Sequence, residues 1–383
     1  MGGTSANHDA CLGLALLGAG AGRGFLRLLG HHDADCLWRA SARDLQARGL
    51  APQAAARLIE LRRSVRVDEV RAAMKAADLR FVPFSGEEYP PELTHLELPP
   101  AGLFIRGGGE ALRGLLASPR VTIVGTRLAT SYGVRAAEQL AAAFAVAGVV
   151  VASGLAMGID ARAHKAALAV SGVTVAVLGC GADVVYPRRN LCLYESIAAT
   201  GLVISELPPG FRPARWTFPH RNRILAALGD AVVVVEAPPG SGALQTAECA
   251  AELGRPVQAV PGSIFMNGCK GCNSLLHDGA SPVLDARSAV EDFLSQTRIE
   301  RGARQVDGDW RLDPRSHQQL CLVASLTPRG ELVWNALADG RCTIDVLIGH
   351  TGLAIKELMT ALAELELAGM VRREGPAAYA RAP

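Results

Sequence analysis

The residues of this 383-residue chain that could do chemistry gather in glycine-bearing turns, each placed after a short apolar run. Gly125-Thr126-Arg127 follows residues 121–124, and Ser153-Gly154-Leu155-Ala156-Met157-Gly158-Ile159-Asp160 follows 149–151. Gly179-Cys180-Gly181, continuing to Tyr186-Pro187-Arg188-Arg189-Asn190, follows 173–178, and Pro239-Gly240-Ser241-Gly242 follows 231–235. Glycine lets a backbone come close to a phosphate, a following helix turns free N–H groups toward it, and Ser or Thr hydroxyls add donors. Anion binding is the chemistry this set predicts. Arg127 brings a planar fork suited to a phosphate, and Arg188, Arg189, Arg221, Arg223 and Lys270 would extend the charge along an adjoining groove. Only four lysines accompany 35 arginines, so Lys270, in a glycine-bounded loop, stands out.

Other constellations support less. Asp160 and His164 lie four apart on one helical face, as an acid–base pair would, but an aspartate there also caps or orients its helix. Glu206 follows a strand and Glu236 ends one, where either could anchor loop backbone. Trp216 and Phe218, beside Arg212, Arg215 and Arg221, read equally as a base-stacking platform with a basic rim and as a cover for the sheet. Cys269-Lys270-Gly271-Cys272 has no second pair to complete a zinc site and stands in the wrong place for a thioredoxin-type motif. Neither GxxxxGK[ST] nor GxGxxG occurs, so an ATPase or a dinucleotide dehydrogenase is not supported. No metal, cofactor or catalytic residue is expected.

The elements that must position these turns follow from hydrophobic pattern. Six runs rich in β-branched residues (121–124, 149–151, 173–178, 202–204, 231–235 and 256–260) alternate with Ala-rich helical text. Such near-continuous apolar strands imply a parallel sheet covered on both faces, a Rossmann-like α/β core, and turns at the carboxyl ends of its strands share one edge. Residues 1–80 read as a small helical domain, SAM- or helix-hairpin-helix-like, in which Gly18, Gly20 and Gly30 punctuate short helices. Residues 81–297 form the Rossmann-like domain, 298–319 a polar linker, and 320–383 a helix–helix–helix–wing order that predicts a winged helix. The third helix of that tail carries Glu357, Glu364 and Glu366 against Lys356, which argues for a protein or oligomer contact over a DNA groove.

Composition sets the outer limits. With 39 Lys+Arg against 37 Asp+Glu the net charge is +2, so a polyanion partner must be met by local patches. Hydrophobic residues at 49% and charged residues at 20% exclude a disordered or collagenous chain. Nine irregularly spaced cysteines fit a reducing compartment, and residues 1–23 lack the charge order of a signal peptide. The uncharged run 140–159 is long enough to cross a bilayer, but Gly148, Ser153, Gly154 and Gly158 divide it into a helix end, a strand and a loop. A cytoplasmic protein without a membrane segment is expected.

Taken together, the turns resemble those of the DNA-processing protein A family, DprA, also called Smf. The resemblance spans about residues 81–286 and rests on ordered motifs. They are Ile123-Val124-Gly125-Thr126-Arg127; Ser153-Gly154-Leu155-Ala156-x-Gly158-Ile159-Asp160-x3-His164; Gly179-x-Gly181-x-Asp183-x2-Tyr186-Pro187; Ser205-Glu206; Phe218-Pro219-x-Arg221-Asn222-Arg223-Ile224; Ser241-Gly242-Ala243-Leu244-Gln245-Thr246-Ala247; Val260-Pro261-Gly262; and Gly271-Cys272-Asn273. The resemblance implies a non-enzymatic protein that binds single-stranded DNA, acts as a homodimer, protects incoming strands in natural transformation and loads the RecA recombinase onto them. It places Arg127, Arg221, Asn222 and Lys270 near phosphates, with Ser153, Gly154 and Gly158 offering backbone-side contacts. Met157 and Lys270 stand where the family usually has arginine, and Ala243 and Gln245 replace a commoner Ser and Ile. Two rival readings use the same cradle: a nucleoside-monophosphate phosphoribohydrolase, whose PGGxGTxxE motif is approached by Pro239-Gly240-Ser241-Gly242 and Thr246 with Glu248 one place early, and a sensor of a small nucleotide-derived ligand.

Overall fold

The computed structural model describes residues 2–21, 28, 34–84, 86–108, 118–300, 328–337, 342–367, 371–373 and 378–381. Two compact units result, residues 1–308 and 309–383. The expected linker lies outside the described residues from 301 onward, as do Gly30 and its neighbours.

The first unit opens with α1 (Gly2–Ala21), α2 (Ala34–Arg39), α3 (Ala42–Ala47), α4 (Pro52–Ser64) and α5 (Val67–Ala76). The first helix runs unbroken through Gly18 and Gly20, where the sequence predicted punctuation, because burial of Leu12, Leu14 and Leu17 outweighs a propensity cost of about 1 kcal/mol per glycine. Ser41 starts α3 with a capping box to Asp44. These helices share a core with Phe81 and Phe104 of the sheet, so the boundary expected at residue 80 falls inside one packed body.

The sheet has nine strands: β1 (Arg80–Pro83), β2 (Gly102–Gly107), β3 (Arg120–Val124), β4 (Val150–Ser153), β5 (Thr174–Val177), β6 (Leu202–Ser205), β7 (Ala231–Val234), β8 (Val257–Ala259) and β9 (Ser281–Pro282). Their order is β1-β2-β6-β5-β4-β3-β7-β8-β9. Among β3 to β8 every pairing is parallel, as the apolar runs predicted; β9, which no apolar run announced, extends the parallel set, and β1 and β2 add an antiparallel edge. Strands β3 to β7 are buried along their whole length, so alternate residues serve opposite faces.

Helices cover both faces. Val150, Ala152, Val175, Val177, Val232 and Val234 pack against α9 (Thr217–Leu228) and α10 (Gly242–Glu252), with Cys272 from α11 (Lys270–His277). On the other face, Val121, Ile123, Val151 and Val233 meet α6 (Ser131–Val146), α7 (Ile159–Ala169) and α12 (Ala286–Glu300), where Phe144 and Phe293 stack edge to face at 5.5 Å. α8 (Leu191–Thr200) covers Ala176, Leu178 and Val203. The uncharged run 140–159 is thus the end of α6, strand β4 and a loop. Among the described residues no single helix is long and apolar enough to cross a membrane.

The second unit comprises α13 (Pro328–Ala336), β10 (Cys342–Thr343), α14 (Ile344–Thr351), α15 (Ile355–Leu367), β11 (Val371–Arg373) and β12 (Ala378–Arg381), with strand order β10-β12-β11. Val333, Leu337, Leu347, Leu358, Leu362, Leu365 and Tyr379 form its core, a winged helix as the sequence predicted.

Candidate functional site

All the glycine turns singled out in the sequence lie at the carboxyl ends of parallel strands, and α9 gathers them. Its first two turns insert Thr217, Phe218, Arg221 and Asn222 among four loops. Thr217 Oγ1 donates to the carbonyl of Gly179 at 2.5 Å, Asn222 Nδ2 donates to the carbonyl of Gly242 at 3.1 Å, and Arg221 Nη1 donates to the carbonyl of Val177. The guanidinium of Arg221 fills the space where any side chain at Gly154 would go. Arg127 lies over the Phe218 ring, 5.0 Å from its centroid, a cation–π contact. The turns after β3 and β4 also touch directly: Ile159 N donates to the carbonyl of Thr126 at 3.2 Å, and Gly158, at φ 76°, fits against Thr126 and Arg127 where a Cβ has no room.

Burial separates the expected phosphate contacts into two groups. Arg127, Arg188 and Lys270 are exposed, as are Arg189, Arg212 and Arg215. Arg221, 5% exposed, and Asn222 are interior. Expected to touch phosphate, their side chains are spent instead on the backbone carbonyls of Val177 and Gly242, because the first is buried and the second partly buried, and such carbonyls need donors. Arg223 is likewise withdrawn: it pairs with Glu206, whose other oxygen lies 3.2 Å from His220. Ser153 is buried and donates to the carbonyl of Ile123 at 2.6 Å, and Gly154 is buried beside it, so neither faces solvent. Gly158 is half-buried.

The aromatic cluster is larger than the sequence indicated. Phe218 lies 5.6 Å from Tyr186, which is 41% exposed, and Trp216, 49% exposed, packs edge-on against Phe211 at 6.1 Å. Tyr186 and Phe211 were not singled out as site residues. Tyr186 adjoined the right motif, but only the fold brings it to Phe218. Between the turn after β5, which carries Arg188, and that after β8, which precedes Lys270, lie four strand spacings, roughly 19 Å at about 4.8 Å each.

Asp160 and His164 do not form a usable acid–base pair. Burial raises the Asp160 carboxyl above the usual range, the nearby Arg221 charge opposes this, and the carboxylate accepts from Ala156 N at 3.4 Å, so it braces the loop. His164 is fully buried and its pKa is lowered to about 3. Thr174 Oγ1 donates to the carbonyl of Val151 at 2.6 Å, which makes the His164 Nδ1–H the donor in its own 2.6 Å contact with Thr174. Nε2 is left facing protein without a partner. Cys269 and Cys272 are buried, and burial pushes the Cys272 thiol up to about 12. Among the described residues no His, Cys, Asp or Glu cluster suits a metal. Glu248 is exposed on α10 while Thr246 is buried, so the two do not share one face of the helix as a single pocket would require.

Comparison with known proteins gives a consistent result. A family model described as DNA recombination-mediator protein A matches residues 80–294, and a DprA winged helix domain matches 322–375. The chain is 34% identical over 345 residues to Protein Smf of Escherichia coli strain K12, covering 88% of this chain and 86% of that one. It is 36% identical over 310 residues to Protein Smf of a Synechocystis species, covering 77% and 78%. Among solved structures, DNA processing protein A from Streptococcus pneumoniae superposes with a TM-score of 0.64 at 32% identity, over 73% of this chain and 96% of that one. A structure describing the single-stranded DNA binding mode of DNA processing protein A from Helicobacter pylori gives 0.51 at 29%, over 57% and 98%.

Proposed function

The chain belongs to the DNA recombination-mediator protein A family, DprA or Smf, and from that premise we propose that it binds single-stranded DNA along the carboxyl rim of its sheet. The observation that carries the reading is the rim itself: exposed Arg127, Arg188, Arg189, Arg212, Arg215 and Lys270 together with two aromatic pairs, Phe218 with Tyr186 and Trp216 with Phe211. A strand offers both groups such a surface needs, phosphates for the cations and unpaired bases for the rings. A duplex keeps its bases stacked away from those rings. Contacts of this kind are sequence-independent and salt-sensitive, with a slope near −0.7 per neutralised phosphate.

The test is a titration with oligo-dT of increasing length, duplex DNA and AMP at two salt concentrations. Affinity should rise with length until the roughly 19 Å span is filled, single strands should bind far better than duplex, and high salt should weaken binding. Equal affinity for AMP and oligo-dT would overturn the reading in favour of a nucleotide sensor, and release of base from AMP would favour the phosphoribohydrolase.

In the same reading the protein acts as a cytoplasmic homodimer, protects incoming strands, loads the RecA recombinase onto them and performs no chemistry of its own. The burial of His164 and Asp160 supports the last point. Strand exchange by RecA on DNA coated with single-strand-binding protein checks the loading role: the protein should shorten the lag, and an unchanged lag would remove that role.

A further inference from the structure

In an open α/β sheet the switch point is where a nucleotide phosphate settles, on the free N–H groups of the helix leaving the first strand. Here the switch point lies between β3 and β7, and the helix is α6. Its N-cap residue, Thr130, is already engaged by the chain itself. Glu236, just past β7 and 1% exposed, accepts at Oε2 from Thr130 N at 3.0 Å and from Thr130 Oγ1 at 3.1 Å. Thr130 Oγ1 in turn accepts from Gly133 N at 3.2 Å, and Gly133 packs so tightly on the same carboxylate that a side chain has no room. Gly268 closes the other side, where an added Cβ would lie 2.5 Å from Oε1. The Glu236 carbonyl accepts from Thr126 N at 2.6 Å, so one residue ties together the Arg127 turn, the start of α6 and the loop before α11.

We propose that Glu236 is a specificity-determining residue: its carboxylate takes the place of a bound phosphate at the start of α6, closes the switch point to nucleoside phosphates, and leaves anions to the outer rim. A carboxylate matches the position in charge sign and acceptor geometry and, being tethered, occupies it at no cost in translational freedom. A mononucleotide must then make do with one rim contact, whereas a strand makes several at once. For the choice of polymer the inference rests on the single-stranded DNA reading; for the filled crevice it does not. Glu236 is also a positioning residue, since its backbone bond holds the turn that carries Arg127.

The experiment uses the full chain with Glu236→Ala and, as a milder change, Glu236→Ser, probed by calorimetry with inorganic phosphate and AMP and by anisotropy with oligo-dT. Each variant should bind phosphate at least about tenfold tighter than the wild type, and added formate should compete the phosphate away, a competition that a merely structural residue would not show. Folded variants that gain no phosphate binding overturn the proposal. The Thr130 amide signal of the wild type, followed by NMR during a phosphate titration, decides the matter if neither variant folds: an unmoved signal supports the filled crevice, and a saturable shift overturns it. A wild type that ignores oligo-dT while the variants still gain phosphate would sink the rim reading and leave the role of Glu236 standing.

Discussion

The carboxyl rim of the sheet and the third helix of the winged helix come from nearly neutral stretches of sequence, yet they present opposite surfaces. At the rim the cations stand out in solvent while the acids are taken inside: Asp160 and Glu236 are buried, and Glu206 is held by Arg223 and His220. On α15 the acids stay in solvent with the cations. Glu364, Glu366 and Lys356 are exposed, and Glu357 is 2.8 Å from an exposed Arg329. A local electrostatic site is therefore made less by how many charges a segment owns than by where folding sends the counter-charges.

The same contrast recurs within the rim, between Arg221 as a strut and Arg127 as a displayed cation, and the largest predicted effect tests it. Arg221→Ala should cost about 3–5 kcal/mol of stability, since it leaves the Val177 carbonyl without its partner and the buried Asp160 without the nearby positive charge; chemical denaturation reads this, and a loss under about 1 kcal/mol would refute the strut. Arg127→Ala should leave stability nearly unchanged and weaken oligo-dT binding by about 2 kcal/mol, roughly thirtyfold, with a shallower salt slope. Fluorescence anisotropy at two salt concentrations separates the two variants, and equal stability losses would erase the distinction.

A third prediction concerns pH. His164 titrates near 3 when folded and near its ordinary value when unfolded, so below about pH 6.5 the unfolded chain binds a proton that the folded chain does not. Stability should fall as pH drops through that window, by about 2 kcal/mol at pH 5 from this residue alone. His164→Gln should shrink the difference in melting temperature between pH 7.5 and pH 5, and an unchanged difference would mean that the imidazole is not held neutral. The smallest effect is expected from the acidic helix: a chain ending at Gly308 should keep oligo-dT affinity within about threefold, or under 1 kcal/mol. A larger loss would show that the winged helix contributes to the DNA surface after all.

Much of the fold was legible because its signals are local. The six apolar runs became β3 to β8, and the tail's helix order became the winged helix with boundaries shifted by a residue or two. The antiparallel strands β1 and β2 were not legible, since neither is flanked by the helical alternation that marks a parallel unit. At the site, the turn glycines and Arg127 announced themselves by type and spacing. Tyr186 and Phe211 did not, because each takes its meaning from a ring it meets only in the fold, Phe218 and Trp216; Glu236 was readable as a loop anchor at a strand end, but its distant partners Thr130, Gly133 and Gly268 were not.

By itself the sequence determined which turns could meet an anion, because glycine, hydroxyl and arginine carry that chemistry in any context. It could not determine which arginines would be free to do so. Arg127 and Arg221 are the same residue type in equally suggestive motifs, and only tertiary packing, by driving α9 under the loops, sent one guanidinium to the buried carbonyl of Val177 and left the other over an aromatic ring at the surface. The reason is that buried backbone carbonyls must be satisfied wherever they fall, and where they fall is a property of the folded chain.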